Sequence, residues 1–275
     1  MKNFIKSLFI SGFPVFALVV FIINLISFSY TLHEIGILIS SLSIVLFFSL
    51  LFIKPVARTS KNLLFYSTPI TFGLALNFIN FEKNNLLIAV LLAVGWLAYL
   101  TWYSTFSKRV TPALSIGKKL PDFALENSLK EKITTNQFSG NFKIFLFYRG
   151  NWCPLCMAQI KEVVTQYKEL KSRNTDVILV SPQPHKFSEN LAKKHQVPFH
   201  FLVDTKSKVA KQLGIFHKNG LPAGFQVFGY DSDVVMPTVI ITNKDNNIIF
   251  ADLTDNYRVR PEPETFLSII DNYKD

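Results

Sequence analysis

Four long apolar stretches fill most of the first 107 residues, and they constrain the fold more than any other feature of the sequence. They cover residues 7–32, 35–53, 62–81 and 84–107, and they consist mainly of Leu, Ile, Val, Phe and Ala. A helix needs roughly 20 residues to cross the hydrocarbon core of a bilayer. The pattern therefore predicts an all-α transmembrane four-helix segment over residues 1–107.

The rest of the chain has the composition of a soluble domain. Residues 108–275 carry 23 of the 29 Lys and Arg residues and 17 of the 19 acidic residues. We expect a linker over residues 108–120 and a folded domain over 121–275. The net charge of +10 does not indicate nucleic-acid binding, because the basic residues are scattered singly and no basic stripe with interleaved aromatic residues forms.

Basic residues occur in alternate loops of the membrane segment. The loops that carry them precede the first span, separate the second from the third and follow the fourth: Lys2, Lys6, Lys54, Arg58, Lys61, Lys108, Arg109, Lys118 and Lys119. The positive-inside bias therefore predicts a multi-pass protein of the cell membrane with both termini and the second domain in the cytoplasm. The spans contain no Cys, so we expect them to act as a lipid anchor or as a docking module for a partner.

The second domain alternates between strand and helix patterns. Residues 142–148 (FKIFLFY) form an apolar run typical of a central strand that is buried on both faces. Further strands are predicted over 122–126, 177–180, 199–203, 238–242 and 248–252, and helices over 153–170, 188–195, 207–213 and 264–271. The order predicts an α/β thioredoxin-like fold, with a mixed central sheet flanked by helices.

The two cysteines of the chain lie in one motif, Cys153-Pro154-Leu155-Cys156, at the predicted junction of the central strand and a helix. Backbone amides and the helix dipole at such a junction stabilise a thiolate, and Pro154 suits the first helical turn. The spacing of three residues places both sulfurs on one helix face, within reach of a disulfide. We therefore predict catalytic roles for Cys153 and Cys156 and a redox-active disulfide without a further cofactor.

Other uses of a Cys pair fit the sequence less well. A zinc site needs four ligands, and the chain has neither a second Cys pair nor two histidines at metal spacing. Covalent haem requires His after the second Cys, where Met157 stands. Two buried, inert cysteines remain an open alternative. We expect Trp152 to shield the motif by packing against it.

Met236-Pro237 precedes the predicted strand at 238–242, in the loop that faces the Cys motif of a thioredoxin fold. Proline at such a position indicates either a cis peptide bond or an edge strand. A cis bond would leave the Met236 backbone free to pair with an extended substrate segment. We therefore include Met236 and Pro237 among the predicted substrate-binding residues, with an ordinary edge-strand proline as the alternative.

Residues 147–156 (FYRGNWCPLC) resemble the active-site segment of the AhpC/TSA-type, peroxiredoxin-like members of the thioredoxin superfamily. Further segments that carry the resemblance lie at residues 120–125, 180–183, 236–238 and 255–263. It covers about residues 117–275 and leaves out the membrane segment. The resemblance implies a thioredoxin fold with peroxide or disulfide chemistry.

The motif also departs from the family pattern Pro-x-x-x-Thr-x-x-Cys. Arg149 stands at the proline, Cys153 at the threonine and Cys156 at the peroxidatic cysteine. Peroxide reduction needs cationic donors, of which Arg149 is a candidate. Met236-Pro237 occupies the place of the family's second arginine, and no Lys or Arg lies within residues 219–243. These departures favour thiol–disulfide exchange. We expect Arg258 and Arg260 to form a surface ion-pair cluster with Asp255.

Three functions therefore remain. In the first, a membrane-anchored thiol–disulfide oxidoreductase, Cys153 attacks a disulfide of a protein substrate and Cys156 resolves the mixed disulfide. In the second, an antioxidant peroxidase, a hydroperoxide oxidises one cysteine to a sulfenic acid and the other closes the disulfide. Both require a cellular dithiol reductant. In the third, the second domain is a redox-sensing or docking module for a membrane partner.

Overall fold

The computed structural model describes residues 2–106, 109 and 111–273. Residues 107, 108 and 110, at the predicted end of the fourth span and the start of the linker, lie outside the described residues. Backbone contacts divide the chain into two units. The helical unit comprises Met1–Pro55, Thr59–Thr105 and Pro222–Gly224, and the sheet unit comprises Val56–Arg58, Phe106–Leu221 and Phe225–Asp275.

Helices form in the helical unit where the apolar stretches predict them. They are α1 (Lys2–Ile26), α2 (Leu32–Ile53), α3 (Leu64–Ile79) and α4 (Lys83–Ala98), and α4 continues as a π-helical turn over Tyr99–Tyr103. Among the described residues, three helices are long and apolar enough to cross a membrane: α1, α2 and α4 with its π-helical turn. These helices indicate association with a membrane.

Helix α3 is shorter than the predicted span over residues 62–81. It has 16 residues, or about 24 Å at 1.5 Å per residue, against a hydrocarbon core of about 30 Å. Its start is delayed because Leu63 has a left-handed backbone (φ 47°) and donates its N–H to Ser60 Oγ at 3.2 Å. The helix ends before Asn80, so the predicted third span is longer than the helix that forms.

Helices α2 and α3 approach each other closely at two glycines. A Cβ atom on Gly36 would lie 2.4 Å from the Gly73 carbonyl oxygen, and one on Gly73 would lie 2.3 Å from the Gly36 oxygen. Such small residues let the backbones of membrane helices pack together. Asn77 Nδ2 donates to the His33 carbonyl at 3.2 Å across the same interface, as expected for a polar residue within a span.

The sheet unit contains a mixed sheet, which within the described residues has the strand order β2-β1-β5-β4-β3-β8-β9, and a two-stranded ladder, β6-β7. The strands are β1 (Ala124–Glu126), β2 (Lys132–Thr134), β3 (Phe142–Phe147), β4 (Thr175–Ser181), β5 (His200–Val203), β6 (Phe216–His217), β7 (Val234–Val235), β8 (Thr238–Asn243) and β9 (Ile248–Asp252). The helices are α5 (Pro154–Thr165), α6 (Tyr167–Ser172), α7 (His185–His195), α8 (Lys208–Gln212) and α9 (Pro263–Asn272).

Strand β3 lies at the centre of the sheet because its side chains are apolar on both faces. It pairs in parallel with β4 and antiparallel with β8, and its residues from Ile144 to Phe147 are at most 1% exposed. The core continues into the predicted linker, where Leu114 and Leu120 are each 2% exposed. The predicted fold class, a helical segment followed by a thioredoxin-like mixed sheet flanked by helices, is confirmed.

Strands β2, β6 and β7 form where no strand was expected. β2 pairs at the sheet edge with β1, which lies within the strand predicted at 122–126, and β6 pairs with β7, with His217 opposite Val234. Local patterns do not predict these strands because segments of two or three residues carry no readable alternation. Both pairs are held by backbone hydrogen bonds within hairpin-like segments, so their side chains give little signal.

Candidate active site

A tight turn joins β3 to α5 and carries the residues before the Cys motif. Tyr148 extends the strand by donating its N–H to the Val180 carbonyl at 2.9 Å. Gly150 then adopts φ 149°, a conformation that L-residues rarely take, and a Cβ atom there would lie 2.7 Å from Trp152 Nε1. The Cys153 N–H donates to the Gly150 carbonyl at 3.1 Å, which closes the turn. This glycine therefore allows the chain to enter the helix at Cys153.

Cys153 and Cys156 lie at the N-terminus of α5. Cys153 is the N-cap residue with an extended backbone, and Pro154 takes the first helical position, where its missing N–H leaves no helical hydrogen bond unmade. Cys156 lies in the first turn. Both cysteines are reduced, and their exposed fractions are 2% for Cys153 and 0% for Cys156. The dithiol is therefore within the protein rather than on its surface.

Arg260 places a guanidinium group on the Cys156 sulfur. Its Nη1 and Nη2 atoms each donate to Cys156 Sγ at 3.5 Å, and Nη1 also donates to Gln159 Oε1 at 3.0 Å. The Arg260 Nε–H donates to the Tyr257 carbonyl at 3.0 Å, which fixes the orientation of the group. The prediction of a surface ion-pair cluster here is wrong, because Arg260 is 5% and Arg258 is 0% exposed.

The two sulfurs have opposite electrostatic environments. Burial alone would raise the pKa of Cys156, but the Cys153 thiol, the Arg260 guanidinium and the Arg149 backbone hold it well below its usual value. Burial raises the pKa of Cys153, and the neighbouring Cys156 raises it further. The charge of Cys156 in turn raises the pKa of Arg260 against the opposing effect of burial. The arrangement is that of a Cys156 thiolate that accepts from Cys153 and Arg260.

Arg149 and Trp152 stack beside the motif. The Arg149 guanidinium carbon lies 4.6 Å from the Trp152 ring centroid and 5.7 Å from that of Tyr257. Arg149 Nη2 donates to the Gly220 carbonyl. The structure thus brings both predicted residues to the motif, where Trp152 is half-buried and Arg149 is held by a loop carbonyl and two aromatic rings.

Gln183 forms a buried network behind the turn. Its Oε1 accepts the Asn151 N–H at 2.9 Å, and its Nε2 donates to Tyr148 Oη at 3.0 Å and to Ser188 Oγ at 3.1 Å. Burial is the main cause of the raised pKa of Tyr148, so this hydroxyl stays protonated. Gln183 is 2% exposed. It fixes the turn before Cys153 to the end of β4.

The Met236-Pro237 segment differs from the prediction in two ways. The peptide bond between them is trans, and Pro237 precedes β8, which lies between β3 and β9 and is not an edge strand. The Met236 N–H donates to the Ile215 carbonyl at 2.8 Å, and the Met236 carbonyl accepts from Thr238 Oγ1 at 2.9 Å. The expected cis bond and free Met236 backbone are therefore wrong, since the peptide bond is trans and the Ile215 carbonyl and the Thr238 hydroxyl use the Met236 backbone groups.

Arg260 and Gln183 are the site residues to which the sequence analysis gave no site role. Both lie in segments that carry the family resemblance, which was the available signal. Arg260 follows β9 by eight residues and precedes α9, so no spacing rule ties it to the Cys motif. In the part of the chain that the structure describes, no group of three or more His, Cys, Asp or Glu residues is placed to hold a metal ion.

Comparisons with known proteins agree with this architecture. A model of the AhpC/TSA family matches residues 116–251. The thiol-disulfide oxidoreductase ResA of Bacillus cereus is 23% identical over 175 residues, which are 61% of this chain and 87% of that protein. Peroxiredoxin Bcp of Bacillus subtilis is 24% identical over 103 residues, 38% of this chain and 66% of that protein.

A solved structure of peroxidoxin BcpB from Mycobacterium tuberculosis aligns with a TM-score of 0.49 at 15% identity, over 59% of this chain and 99% of that one. The chain is thus distantly similar both to thiol-disulfide oxidoreductases and to peroxiredoxins. Together with the Cys153–Cys156 pair, the family match leads to one assignment: over residues 116–251 the chain carries an AhpC/TSA redoxin domain of the thioredoxin superfamily, joined to an N-terminal helical segment.

Proposed function

We propose that this protein is a membrane-anchored thiol peroxidase in which Cys156 attacks a hydroperoxide and Cys153 resolves the product. The observation that carries the proposal is the pair of hydrogen bonds from Arg260 to Cys156 Sγ. They supply the cation that residues 219–243 lack, so the earlier reason to favour disulfide exchange no longer applies. A guanidinium beside the attacking sulfur can also stabilise the negative charge that develops on a peroxide oxygen.

The proposed reaction has three steps. The Cys156 thiolate attacks the terminal oxygen of the hydroperoxide, the O–O bond breaks, and the leaving alkoxide takes a proton to give an alcohol and a sulfenic acid at Cys156. The Cys153 thiol then attacks the Cys156 sulfur, which forms the disulfide and releases water. A cellular dithiol reduces this disulfide by exchange and is itself oxidised.

Burial of the dithiol favours a small substrate. Cys156 is fully buried and Cys153 is 2% exposed, so either substrate reaches the Cys156 sulfur only after local opening. A hydroperoxide is only a few atoms long and needs a smaller opening than a folded protein. Reduction of the Cys153–Cys156 disulfide by a protein dithiol needs the larger opening, because the reductant must reach one of the sulfurs. We therefore expect reduction by the dithiol partner, rather than peroxide attack, to limit turnover.

Thiol–disulfide exchange led by Cys153 is the second candidate. It is favoured by the similarity to ResA, which extends over 61% of this chain, and by the position of Cys153 at the N-cap of α5. In this alternative Cys153 forms the mixed disulfide with the substrate. A redox-sensing or docking role remains the third candidate, and it predicts that neither activity turns over.

The full chain in lipid vesicles, with the variants Cys153→Ser and Cys156→Ser, separates these candidates. Under our proposal Cys153→Ser consumes one equivalent of hydrogen peroxide and accumulates a sulfenic acid at Cys156 that a dimedone probe traps, while Cys156→Ser consumes none. Retention of peroxide consumption by Cys156→Ser would refute the proposal. A stable mixed disulfide of Cys156→Ser with a protein substrate, without peroxide consumption by the wild type, would support the second candidate.

A further inference from the structure

The loop between β6 and β7 ends in an exposed apolar turn. Its tip is a 3-10 turn over Phe225–Phe228, in which Val227 is 81% and Phe228 is 64% exposed. Gly224 and Gly229 flank the turn with φ values of 94° and 90°, which only glycine adopts readily. The two side chains at the tip therefore point away from the core while the turn itself is well defined.

This turn lies beside the Cys motif. The Phe225 ring centroid is 5.9 Å from that of Trp152, and the Phe228 ring centroid is 5.9 Å from that of Phe225. The Leu221 N–H donates to the Ser232 carbonyl at 3.1 Å, so the base of the loop is closed. Aromatic side chains thus run without interruption from Trp152, next to Cys153, to the exposed tip.

The base of the loop contacts Phe106, which follows the last apolar helix in the chain. Phe106 donates its N–H to the Asp255 carbonyl at 2.5 Å, and its ring lies 5.4 Å from that of His217, the last residue of β6. Tyr103 ends the apolar helix that begins at Lys83. Phe106 follows Tyr103 by three residues, so the covalent chain joins this part of the sheet unit to that helix through a very short segment.

The composition of the loop fits a lipid interface better than a charged protein surface. Residues 219–230 contain no Lys, Arg, Asp or Glu, and residues 225–230 include Phe225, Phe228 and Tyr230. Aromatic side chains of this kind are enriched where proteins meet the interfacial region of a bilayer. Lys218, Asp231 and Asp233 flank this uncharged stretch in the same loop, so residues 219–230 themselves carry no cation that would attract anionic lipid headgroups.

We infer that the Phe225–Phe228 turn inserts into the phospholipid interface of the membrane that holds the apolar helices. Val227 and Phe228 are the inserting side chains, and hydrophobic burial rather than charge drives the insertion. The turn thereby holds Trp152, which contacts Phe225, near the lipid surface. The inference concerns binding to lipid and stands whether the dithiol reduces peroxides or disulfides.

Lipid-dependent quenching of a probe at the tip tests this contact. The full chain with Cys153→Ser and Cys156→Ser receives a single new cysteine, Val227→Cys, which is labelled with the fluorophore NBD and reconstituted in phosphatidylcholine vesicles. Leu129→Cys is the matched control, because Leu129 is 75% exposed in the turn between β1 and β2. We expect blue-shifted emission and strong quenching by nitroxide-labelled lipid at position 227, and quenching by aqueous iodide instead at position 129.

Two further measurements identify what drives the contact. Adding Phe228→Gln to the Val227 probe should weaken the lipid quenching, whereas raising the salt concentration or adding phosphatidylglycerol should not change it. Equal quenching at positions 227 and 129 would overturn the inference. So would a tip probe that stays exposed to iodide in vesicles and is shielded only when a protein reductant is added, because the loop would then dock a protein.

Discussion

Cys156 is fully buried, and burial alone would keep its thiol protonated and unreactive. Arg260 changes this balance because a buried cation with two N–H groups on one sulfur favours the anion by charge and by hydrogen bonding. Burial and the neighbouring Cys156 raise the pKa of Cys153 against the opposing charges of Arg260 and Arg149, and Cys153 gives its own hydrogen bond to Cys156. The assignment of attacking and resolving sulfur therefore depends on the hydrogen bond from Cys153 and on the two N–H groups of Arg260.

We predict that Arg260→Gln raises the pKa of Cys156 by about 1 to 2, since hydrogen bonds to a charged group contribute roughly 1.5–3 kcal/mol. In the wild type the thiolate fraction rises with pH through an inflection well below the usual pKa of cysteine. In the variant the inflection moves up, so the thiolate fraction at a given pH falls and peroxide attack slows. Ultraviolet absorbance of the thiolate against pH measures both inflections.

The matched control for this prediction is Arg173→Gln, which removes a surface arginine that pairs with Asp271 and Glu169. It should leave the inflection unchanged. Arg260→Lys should recover part of the shift, because it keeps the charge and loses the two-pronged geometry. An unshifted inflection in Arg260→Gln would show that Arg260 does not set the Cys156 charge.

Gln183 is the second residue whose removal has a specific expected effect. Gln183→Leu leaves the Asn151 N–H and the hydroxyls of Tyr148 and Ser188 without this partner. Each buried polar group left without a hydrogen bond lowers the free energy of unfolding by roughly 1–3 kcal/mol. We expect the turn before Cys153 to open more often. Hydrogen exchange at the Asn151 amide measures the change in opening free energy, with the exposed substitution Gln212→Leu as the control. Equal exchange rates in both variants would show that Gln183 does not fix the turn before Cys153.

Local sequence patterns locate the residues of the Cys motif but not the residues that set its electrostatics. Cys153, Pro154 and Cys156 were placed correctly at a strand–helix junction because the apolar run of β3 and the helical spacing of α5 are both local patterns. Arg260 lies 104 residues beyond Cys156, and only the folded sheet unit brings the two together. A pattern of local spacing carries no information on such a contact.

The junction of β3 and α5 depends on Gly150. The Gly150→Ala substitution adds a Cβ atom 2.7 Å from Trp152 Nε1 at a φ of 149°. We expect the strained backbone conformation alone to lower the free energy of unfolding by about 1–3 kcal/mol. The added Cβ atom should also displace the Trp152 ring. Intrinsic tryptophan fluorescence and the rate of Cys153–Cys156 disulfide formation should both change.

Gly117→Ala is the control that separates backbone strain from the clash. Gly117 also has a positive φ, 85°, but a Cβ atom there would meet no atom within 4 Å. We expect Gly117→Ala to lower the free energy of unfolding without altering the rate of Cys153–Cys156 disulfide formation. If Gly150→Ala also lowers stability without altering disulfide formation, the glycine is not required to avoid a clash with Trp152.

Long elements were predicted closely and short ones were missed. The predicted strand at 142–148 is β3 at Phe142–Phe147, and the predicted hairpin at 238–242 and 248–252 is β8 and β9. In contrast β6 and β7 have two residues each. Their backbone pairing, together with the bond from Met236 to Ile215, replaced the free strand edge that Met236-Pro237 had suggested. Local propensity does not predict this pairing, because Ile215, the partner of Met236, lies about 20 residues away in the sequence.

The number of membrane crossings decides which compartment holds the dithiol. Basic loops predict four crossings and a cytoplasmic sheet unit, whereas α3 has only 16 residues and the other three helices meet the length for spanning. We predict that α3 also crosses, by local thinning of the bilayer. A reporter fused after Asp275 that works only inside the cell would agree with this topology.

The control for topology is a second reporter fused in the loop at Glu82, between α3 and α4. Four crossings place Glu82 and Asp275 on opposite sides when α4 spans, and place the loop at Arg58 on the same side as Asp275. A reporter after Asp275 that is active only outside the cell would mean that α3 does not cross. The dithiol would then face an oxidising compartment.

The cation beside Cys156 has a consequence for the equilibrium between dithiol and disulfide. Oxidation removes the negative charge of the sulfur and leaves Arg260, 5% exposed, without its anionic neighbour. Loss of one partner from a buried pair costs about 3–5 kcal/mol. For the two-electron Cys153–Cys156 couple this raises the reduction potential by roughly 60–100 mV. The Cys153–Cys156 disulfide is therefore a comparatively strong oxidant of other dithiols.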